Sequence, residues 1–208
     1  MDHHDFRNRE IIKQNSLIKM GDVAVDVGAN IGTYTSIFLE NLGATGKIYA
    51  IELVAKTAEA LRVRFGNYSN VTFVCGAASD HNGMEQVYLG GTHEQHNTLG
   101  HTPDGKPSTH IGEVGCFTLD ELLKDEEQIS FIKIDVEGSE LKVLRGMKET
   151  VKKTKTILLE NHYDEDWPKI RKILLEDFAL EGYNIETEEM ITADSPRPYQ
   201  CLLTKRKV

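Results

Sequence analysis

Short apolar runs alternate with longer amphipathic stretches along most of the chain. Short apolar β-branched runs predict buried strands, and an apolar position at every third or fourth residue predicts a helix. The predicted strands are 23–27, 47–52, 70–75, 87–89, 131–135 and 156–160, and the predicted helices are 31–42, 55–66, 119–124, 139–147 and 166–180. This alternation predicts the α/β class, with a mostly parallel sheet and helices on both of its faces.

Two segments depart from this rhythm. Residues 1–20 form an amphipathic lead-in that we expect to pack on the core. Residues 90–113 contain glycines, two prolines and four histidines, at 93, 96, 101 and 110. The histidine spacing matches no recognised zinc site, and the glycines are flexible points, so we expect an irregular loop or a lid there rather than a zinc site.

Strands 183–186 and 200–204, joined without a helix, should pair antiparallel at one edge of the sheet. The whole chain, 1–208, is expected to form one domain.

The composition narrows the set of partners. With 33 acidic and 24 basic side chains the net charge is −9, which argues against a broad nucleic-acid surface because phosphate binding needs a basic face. No stretch approaches the roughly 20 apolar residues of a membrane helix, and the N-terminus lacks an apolar leader. Three widely spaced cysteines fit a reducing compartment. We therefore expect a cytoplasmic protein with no membrane insertion and no nucleic-acid partner.

A glycine turn follows the first predicted strand, Val23–Val27, and leads into a helix. Gly28 and Gly32 allow a sharp turn and a close approach to a ligand, which is typical of a nucleotide-type site. A dinucleotide site would have a glycine where Asn30 stands, and the carboxylate of Asp26 would repel a pyrophosphate. Both features favour S-adenosylmethionine, which has an ammonium group and no phosphate.

Glu52 closes the second predicted strand, 20 positions after Gly32. An acidic side chain at this point accepts hydrogen bonds from ribose hydroxyls in either kind of nucleotide site. Glu52 therefore favours an adenosine ligand over a turn that merely links a strand to a helix.

Carboxylates stand at the carboxyl ends of the predicted strands, where ligands bind in an open α/β sheet. Besides Asp26 and Glu52 these are Asp80, Asp135, Glu137 and Glu160, and His162 follows the last of them. Buried carboxylates are costly without partners, so the pattern predicts a polar crevice that is filled by a ligand.

Three segments resemble the FkbM-type S-adenosylmethionine-dependent methyltransferases: Val25–Gly32, Ile132–Glu140 with Val143–Gly146, and Glu160–His162. The resemblance spans about residues 20–204. It implies a Rossmann-like seven-stranded methyltransferase sheet of order 3-2-1-4-5-7-6, with strand 7 antiparallel and helices on both faces. It also implies methyl transfer, commonly to hydroxyl oxygens of sugars or secondary metabolites.

The resemblance also assigns contacts to the cofactor. Asp26, Gly28 and Gly32 would line the methionine end of S-adenosylmethionine. Glu52 would hold the ribose, Asp80 would meet the exocyclic amine of the adenine, and Asp135 would lie near the transferred methyl. The predicted cofactor-binding residues are Asp26, Gly28, Asn30, Gly32, Glu52, Ala78, Asp80 and Asp135.

The predicted catalytic residues are His162, Asp135 and Glu137. An acceptor hydroxyl gains from a base, and a histidine with an ordinary pKa of about 6.5 is partly neutral near physiological pH, so His162 is the first candidate. Asp135 is the second candidate, and it is more useful as an anchor for the ammonium group or the hydroxyl. The predicted site holds no metal, and the alternative is Mg²⁺ bound by Asp135, Glu137, Glu160 and His162.

The acceptor is expected to be a small molecule or a glycan. Two other functions stay open: an NAD-dependent oxidoreductase on a related sheet, disfavoured by Asp26 and Asn30, and a non-catalytic adenosyl-binding protein. Binding of S-adenosylmethionine rather than NAD would separate a methyltransferase from the first, and transfer of a methyl group would separate it from the second.

Overall fold

The computed structural model describes residues 3–90, 97–99 and 108–205. Within these ranges the strands are β1 (Val23–Val27), β2 (Lys47–Glu52), β3 (Val71–Cys75), β4 (Ala77–Ala78), β5 (Gly83–Gly90), β6 (Asn97–Leu99), β7 (Ser108–Phe117), β8 (Ile129–Ile134), β9 (Thr154–Glu160), β10 (Leu180–Asn184), β11 (Glu189–Ile191) and β12 (Gln200–Lys205). The helices are α1 (His3–Gln14), α2 (Thr33–Leu42), α3 (Ala55–Phe65), α4 (Leu119–Leu122), α5 (Glu140–Arg145) and α6 (Trp167–Lys172).

The larger sheet has the strand order β11-β10-β12-β9-β8-β1-β2-β3. The five strands from β9 to β3 in this order pair in parallel, whereas β12 runs antiparallel to both β9 and β10. The predicted order 3-2-1-4-5-7-6 is confirmed, with β12 as strand 7. Antiparallel pairing of the predicted strands 183–186 and 200–204 is confirmed as well.

One feature of the sheet edge was predicted wrongly. β11 pairs antiparallel with β10, so the described sheet has eight strands, and the predicted final pair does not form its edge. The reversal depends on Asn184, whose side-chain oxygen accepts the N–H groups of Glu186 and Thr187 at 2.9 and 3.3 Å. An Asx-type turn of this kind brings the chain straight back along the strand that it has just left.

A second sheet, of order β4-β7-β5-β6, occupies part of the segment that was expected to be an irregular loop. β5 and β7 pair antiparallel along their length, with a bulge between Val87 and Tyr88. The expectation was wrong for residues 97–99 and 108–113, because these residues pair with β5 through the backbone, and such pairing does not require alternating apolar side chains.

The rest of the expected lid lies outside the described residues. Segments 91–96 and 100–107, which contain His93, His96 and His101, belong to it. A lid function of this region therefore stays a prediction.

Helices cover both faces of the larger sheet. One face buries side chains of α1, α2 and α3 against the central strands: Ile12, Ile37, Phe38, Leu61 and Phe65 with Ala24, Ile48 and Phe131. The other buries side chains of α4, α5 and α6: Leu119, Leu144, Trp167 and Ile170 with Val25, Ile132 and Ile157. Because side chains alternate along a strand, Asp26 shares the first of these faces with Ala24.

The helix predicted over 166–180 is shorter in the structure. α6 ends at Lys172, a π-helical turn follows at Ile173–Asp177, and β10 begins at Leu180. Among the described residues, no helix combines the length and the apolar character needed to cross a membrane.

Candidate active site

A cavity of about 400 Å³ opens beyond the carboxyl ends of β1, β2 and β8. Its apolar wall includes Ile31, Ile51, Leu53, Val54, Ala60, Ala77 and Ala78, and its polar members are Asn30, Glu52, Lys56, Thr57, Asp135, Glu137 and Ser139. Ligands of open α/β sheets bind at this end of the strands, and the size is within the roughly 300–1,000 Å³ of small-molecule sites.

Gly28 allows β1 and β8 to approach each other beside the cavity. Its φ is 79°, and a Cβ atom there would lie 1.8 Å from the backbone oxygen of Asp135. Only glycine fits, because it tolerates the left-handed conformation and has no Cβ. The N–H groups of Gly28 and Ala29 donate to the carbonyl of Ile51 at 3.0 and 2.9 Å, which ties the turn to β2.

Glu52 holds the glycine turn from the end of β2. Its side chain is buried, and its two oxygens accept the backbone N–H groups of Asn30 and Val54, each at 2.8 Å. Burial raises the pKa of Glu52, although these two hydrogen bonds and the charge of Lys133 oppose the rise. A carboxylate has about four lone-pair sites, so Glu52 retains acceptor capacity for a ligand in the cavity.

Asp26 does not line the cavity, contrary to the prediction. It is fully buried beneath α2, where its Oδ2 accepts a hydrogen bond from Thr35 Oγ1 at 2.7 Å. Burial raises its pKa, while Lys133, at 3.7 Å from Oδ1, and the hydroxyl of Thr35 oppose the rise. The side-chain alternation of β1 turns Asp26 towards α2 and away from the strand end.

Lys133 was missed as a site residue. Its Nζ donates to the carbonyl of Gly28 at 2.8 Å and lies 3.1 Å from Asp135 Oδ2. Burial lowers its pKa, but the charges of Asp135 and Asp26 outweigh burial and raise it, so the ammonium form is kept. A signal was present in the sequence, since Lys133 is the charged residue in the otherwise uncharged strand Ile129–Ile134.

Gly32 and Asp80 also lie outside the cavity wall, unlike Ala78, which belongs to it. A Cβ at Gly32 would lie 2.3 Å from the ring of Phe65, so this glycine permits close packing of the turn on α3. The carboxylate of Asp80 is 3.0 Å from Nδ1 of His81 and lines a neighbouring groove. The hydrogen bond from His81 lowers the pKa of Asp80. These placements do not support direct cofactor contacts for Gly32 and Asp80.

Asp135 and Glu137 meet His162 at the polar side of the cavity. Nε2 of His162 lies 3.7 Å from Asp135 Oδ1 and 3.4 Å from Glu137 Oε2. Ligand atoms of these three residues all lie within 4.8 Å of one another. The predicted catalytic residues are thus brought together, although His162 itself is not part of the cavity wall.

The expected protonation state of His162 was wrong. Burial opposes its charge, but a 2.7 Å hydrogen bond from Nδ1 to Glu140 and the charges of Glu140, Glu137 and Asp135 outweigh burial and raise the pKa to about 9. An imidazole with this pKa carries a proton near neutral pH. His162 in this environment is therefore a poor proton acceptor, and the argument for it as the first base no longer holds.

Glu140, in the first turn of α5, joins two parts of the site. Its Oε1 accepts the N–H of Gly138 at 3.0 Å and the Nδ1–H of His162 at 2.7 Å. The sequence places Glu140 in a helix turn but contains no signal for its contact with His162, because 22 residues separate them.

Glu160 completes the ring of carboxylates around His162. Its Oε1 lies 3.6 Å from Nε2 of His162 and accepts a hydrogen bond from the hydroxyl of Tyr199, and its Oε2 accepts one from Gln200 Nε2 at 2.8 Å. Burial and the charge of Asp135 raise the pKa of Glu160, while the hydrogen bonds from Tyr199 and Gln200 oppose the rise.

Known proteins resemble this chain in sequence. The 31-O-demethyl-FK506 methyltransferase FkbM of Streptomyces tacrolimicus is 26% identical over 210 residues, covering 85% of this chain and 73% of that protein. The ribosomal RNA large subunit methyltransferase E of Buchnera aphidicola subsp. Cinara cedri is 27% identical over 84 residues, covering 40% of this chain and 36% of that protein. This chain thus spans only about a third of the RNA methyltransferase.

A solved structure shares the fold. Methyltransferase FkbM from Methylobacillus flagellatus KT superposes with a TM-score of 0.58 at 17% identity, covering 94% of this chain and 47% of that chain. The methyltransferase FkbM domain matches residues 26–185, a range that contains the whole cavity wall and the cluster around His162. The chain belongs to the FkbM methyltransferase family.

Proposed function

We propose that the chain is an S-adenosylmethionine-dependent methyltransferase that methylates a hydroxyl oxygen of a sugar, a glycan or a secondary metabolite. One observation carries the proposal: Asp135 and Glu137 belong both to the cavity wall and to the cluster around His162. A cofactor in the cavity and an acceptor at the cluster would therefore meet at these two carboxylates. Membership of the FkbM family supports methyl transfer as the reaction.

The cavity fits S-adenosylmethionine better than it fits a dinucleotide. Ile51 and Ala78 offer apolar contact for an adenine, and Glu52 offers carboxylate oxygens for ribose hydroxyls at the end of β2. Asp135 and Glu137 attract a cationic group and repel a pyrophosphate. S-adenosylmethionine supplies an electrophilic methyl group on a sulfonium, which an acceptor oxygen takes while the sulfur keeps the electron pair of the broken C–S bond.

The carboxylates, rather than His162, are the proposed proton acceptors for the hydroxyl. Asp135 Oδ1 is buried without a hydrogen-bond partner among the described residues, so it is available to accept the hydrogen of an acceptor. Glu137 would hold the same hydroxyl from the other side of the cluster. The protonated His162 stabilises both carboxylates by its charge. A base placed in this way contributes about 10²–10⁴-fold to the rate.

The test is labelled-methyl transfer from S-adenosylmethionine into pools of sugars, glycans and metabolites, with the product bond identified by mass spectrometry. Asp135→Asn should lower turnover about 100-fold or more, because it removes a proton acceptor. Binding of S-adenosylmethionine, measured by calorimetry, should weaken far less than turnover, because the carboxylate of Glu137 remains in the cavity wall. The matched control is Glu121→Gln, an exposed carboxylate of α4 that pairs with Lys124.

Two results would contradict the proposal. The first is a folded chain that binds S-adenosylmethionine but transfers no methyl to any hydroxyl-bearing pool, which would favour a non-catalytic adenosyl-binding protein. The second is full turnover in Asp135→Asn, which would remove Asp135 from the chemistry.

RNA is the second candidate acceptor, and a basic groove favours it. This groove, about 1,270 Å³ in volume, is lined by three carboxylates, of Asp80, Glu149 and Asp177, and by a larger number of cationic side chains: Arg145, Lys148, Lys152, Lys169, Lys172 and Lys205. A local basic surface can bind phosphates even when the net charge of the chain is negative. A related protein is named a ribosomal RNA methyltransferase. The same labelling experiment, run with total RNA, tests this candidate, and label in RNA alone would replace the small-molecule acceptor.

A further inference from the structure

The two ring nitrogens of His162 have different surroundings. Nδ1 is 2.7 Å from Oε1 of Glu140, a hydrogen bond to a buried carboxylate. Nε2 faces three other carboxylates, of Asp135, Glu137 and Glu160, at 3.7, 3.4 and 3.6 Å. These three distances exceed the 2.7–3.2 Å that is usual for an N–H···O hydrogen bond. Nε2 therefore lies among carboxylate oxygens at more than hydrogen-bonding distance.

This separation suits ligands around a shared cation. Divalent metals bind imidazole nitrogen and carboxylate oxygen at about 2.1 Å, so neighbouring ligand atoms lie roughly 3.0–3.4 Å apart and opposite ones roughly 4.2 Å apart. The ligand atoms of Asp135, Glu137 and His162 all lie within 4.8 Å of one another, slightly wider than this shell. A small contraction would close the cluster around an ion.

A second observation is an acceptor atom without a hydrogen bond. Asp135 Oδ2 is 3.1 Å from Lys133, but Asp135 Oδ1 has no hydrogen-bond partner among the described residues and lies 3.7 Å from Nε2 of His162. A cation placed between Nε2 and Oδ1 would give this oxygen a direct partner. Glu160 is less suited as a ligand, because Tyr199 and Gln200 already donate to its two oxygens.

The third observation is the arrangement of Glu140 behind His162. A metal-binding histidine commonly donates its other ring N–H to a carboxylate, which fixes the tautomer and orients the ring. Glu140 occupies this position, with a side chain that is only 3% exposed.

We infer that Asp135, Glu137 and His162 bind one divalent cation, and that Glu140 is a positioning residue that orients His162 towards it. One imidazole with two carboxylates favours a borderline or moderately hard ion such as Mn²⁺ or Zn²⁺. Binding exchanges the Nε2 proton of His162 for the metal–nitrogen bond, and that proton leaves to solvent. Three protein ligands leave coordination positions open for water or for an acceptor.

The role of this cation rests on the proposed function, although its site does not. An acceptor hydroxyl on an open coordination position loses its proton more readily than a free hydroxyl. Asp135 would then serve as a ligand and no longer as the free base, and the hydroxyl proton would leave to solvent as the oxygen takes the methyl group. The substrate class narrows accordingly to acceptors whose hydroxyl can reach a metal ion.

The experiment is titration of the chelator-stripped chain with Mn²⁺, followed by the electron paramagnetic resonance signal of free Mn²⁺. We expect one bound ion per chain. Glu137→Gln and His162→Gln should each weaken binding tenfold or more, and Glu140→Gln should weaken it about 10–100-fold, as is usual for outer-shell partners. Glu121→Gln is the matched control, and circular dichroism checks the folding of each variant.

Outcomes for the cation and for the proposed function can be told apart. Wild-type chain that binds neither Mn²⁺ nor Zn²⁺, or variants that bind Mn²⁺ as well as Glu121→Gln does, would overturn the cation site. Full methyl transfer in excess chelator would overturn its role in the reaction. Binding of S-adenosylmethionine by the same stripped samples is measured in parallel, and its loss would instead contradict the proposed function.

Discussion

Two carboxylates of the predicted site, Asp26 and Asp135, have opposite surroundings. Asp26 is 0% exposed and contacts Thr35 and Lys133, whereas the side chain of Asp135 is 27% exposed and lines the cavity. Both residues belong to segments that carry the family resemblance. Only Asp135 follows the last residue of its strand, and this difference of position places Asp135 in the cavity wall and Asp26 in the interior beneath α2.

The three free cysteines also differ at the residue scale, which gives a prediction about thiol reactivity. Cys75 is exposed, whereas Cys116 and Cys201 are buried. Burial raises the pKa of Cys201 to about 12, despite a hydrogen bond from Asn161. At pH 8 a thiol with this pKa is ionised to only about one part in ten thousand, and the thiolate is the reactive form. A disulfide reagent should therefore modify one thiol quickly in the folded chain and three after denaturation.

Repeating that experiment at higher pH tests whether Cys201 stays unreactive because its thiol remains protonated. Between pH 7 and 9 Cys201 should stay protonated below its raised pKa, so its reaction with the reagent should stay slow, whereas the exposed Cys75 should react quickly throughout. Cys75→Ser should abolish the fast phase. Two or more fast thiols in the folded wild-type chain would contradict the burial of Cys116 and Cys201.

At the element scale, the central strand pair holds the site together by charge as well as by backbone pairing. Asp26 of β1 and Lys133 of β8 are register partners, and Lys133 also donates to the carbonyl of Gly28. One lysine thus links the first strand, the glycine turn and Asp135 at the end of β8. The strand alternation was predictable from apolar periodicity and the strand order from the family resemblance, but the partner of Lys133 depended on the register between strands that lie over 100 residues apart.

Lys133→Met should destabilise the fold by about 3–5 kcal/mol, because it leaves Asp26 buried without its counter-charge. Asp26→Asn should cost less, since the amide can still accept a hydrogen bond from Thr35. The double variant should be more stable than the sum of the single effects implies, by about 1–3 kcal/mol. Urea unfolding of the four proteins measures this coupling, and strict additivity would exclude a direct interaction between Asp26 and Lys133.

At the scale of the whole molecule, the cavity draws its wall from β1, β2, α3 and β4 and from the segment that follows β8. A ligand bound there contacts elements from several parts of the larger sheet, so it should stabilise the chain as a unit. The charge of the cavity wall also distinguishes between two ligands. The carboxylates of Asp135 and Glu137 disfavour the pyrophosphate of a dinucleotide but not the cationic S-adenosylmethionine.

S-adenosylmethionine at 100 times its dissociation constant should stabilise the chain by about 2.7 kcal/mol, which is a rise in Tm of roughly 5–10 °C for a domain of this size. NAD at the same concentration should leave Tm unchanged. Thermal unfolding measures both, and Glu52→Ala, which removes the carboxylate proposed to hold the ribose, should lose most of the shift. Stabilisation by NAD alone would favour the oxidoreductase.

The amino-acid sequence predicts the alternation of strands and helices and the placement of Glu52 and Asp135 at strand ends, whereas the sheet order followed from the family resemblance. Glycine positions, apolar periodicity and charge at the end of a strand are properties of neighbouring residues, and they are read without knowing distant contacts. Gly28 belongs to this group, because a turn from strand to helix requires its backbone freedom wherever the chain goes next.

The antiparallel pairing of β5 and β7, the burial of Asp26 and the surroundings of His162 were visible only in the folded chain. The charge state of His162 results from Glu140, Glu137 and Asp135, which precede it by more than 20 residues and reach it from other elements. Electrostatic energy depends on distance through space and on burial, and neither is encoded locally. For the same reason, the cluster that we infer to bind a cation emerges only when the ends of β8 and β9 meet.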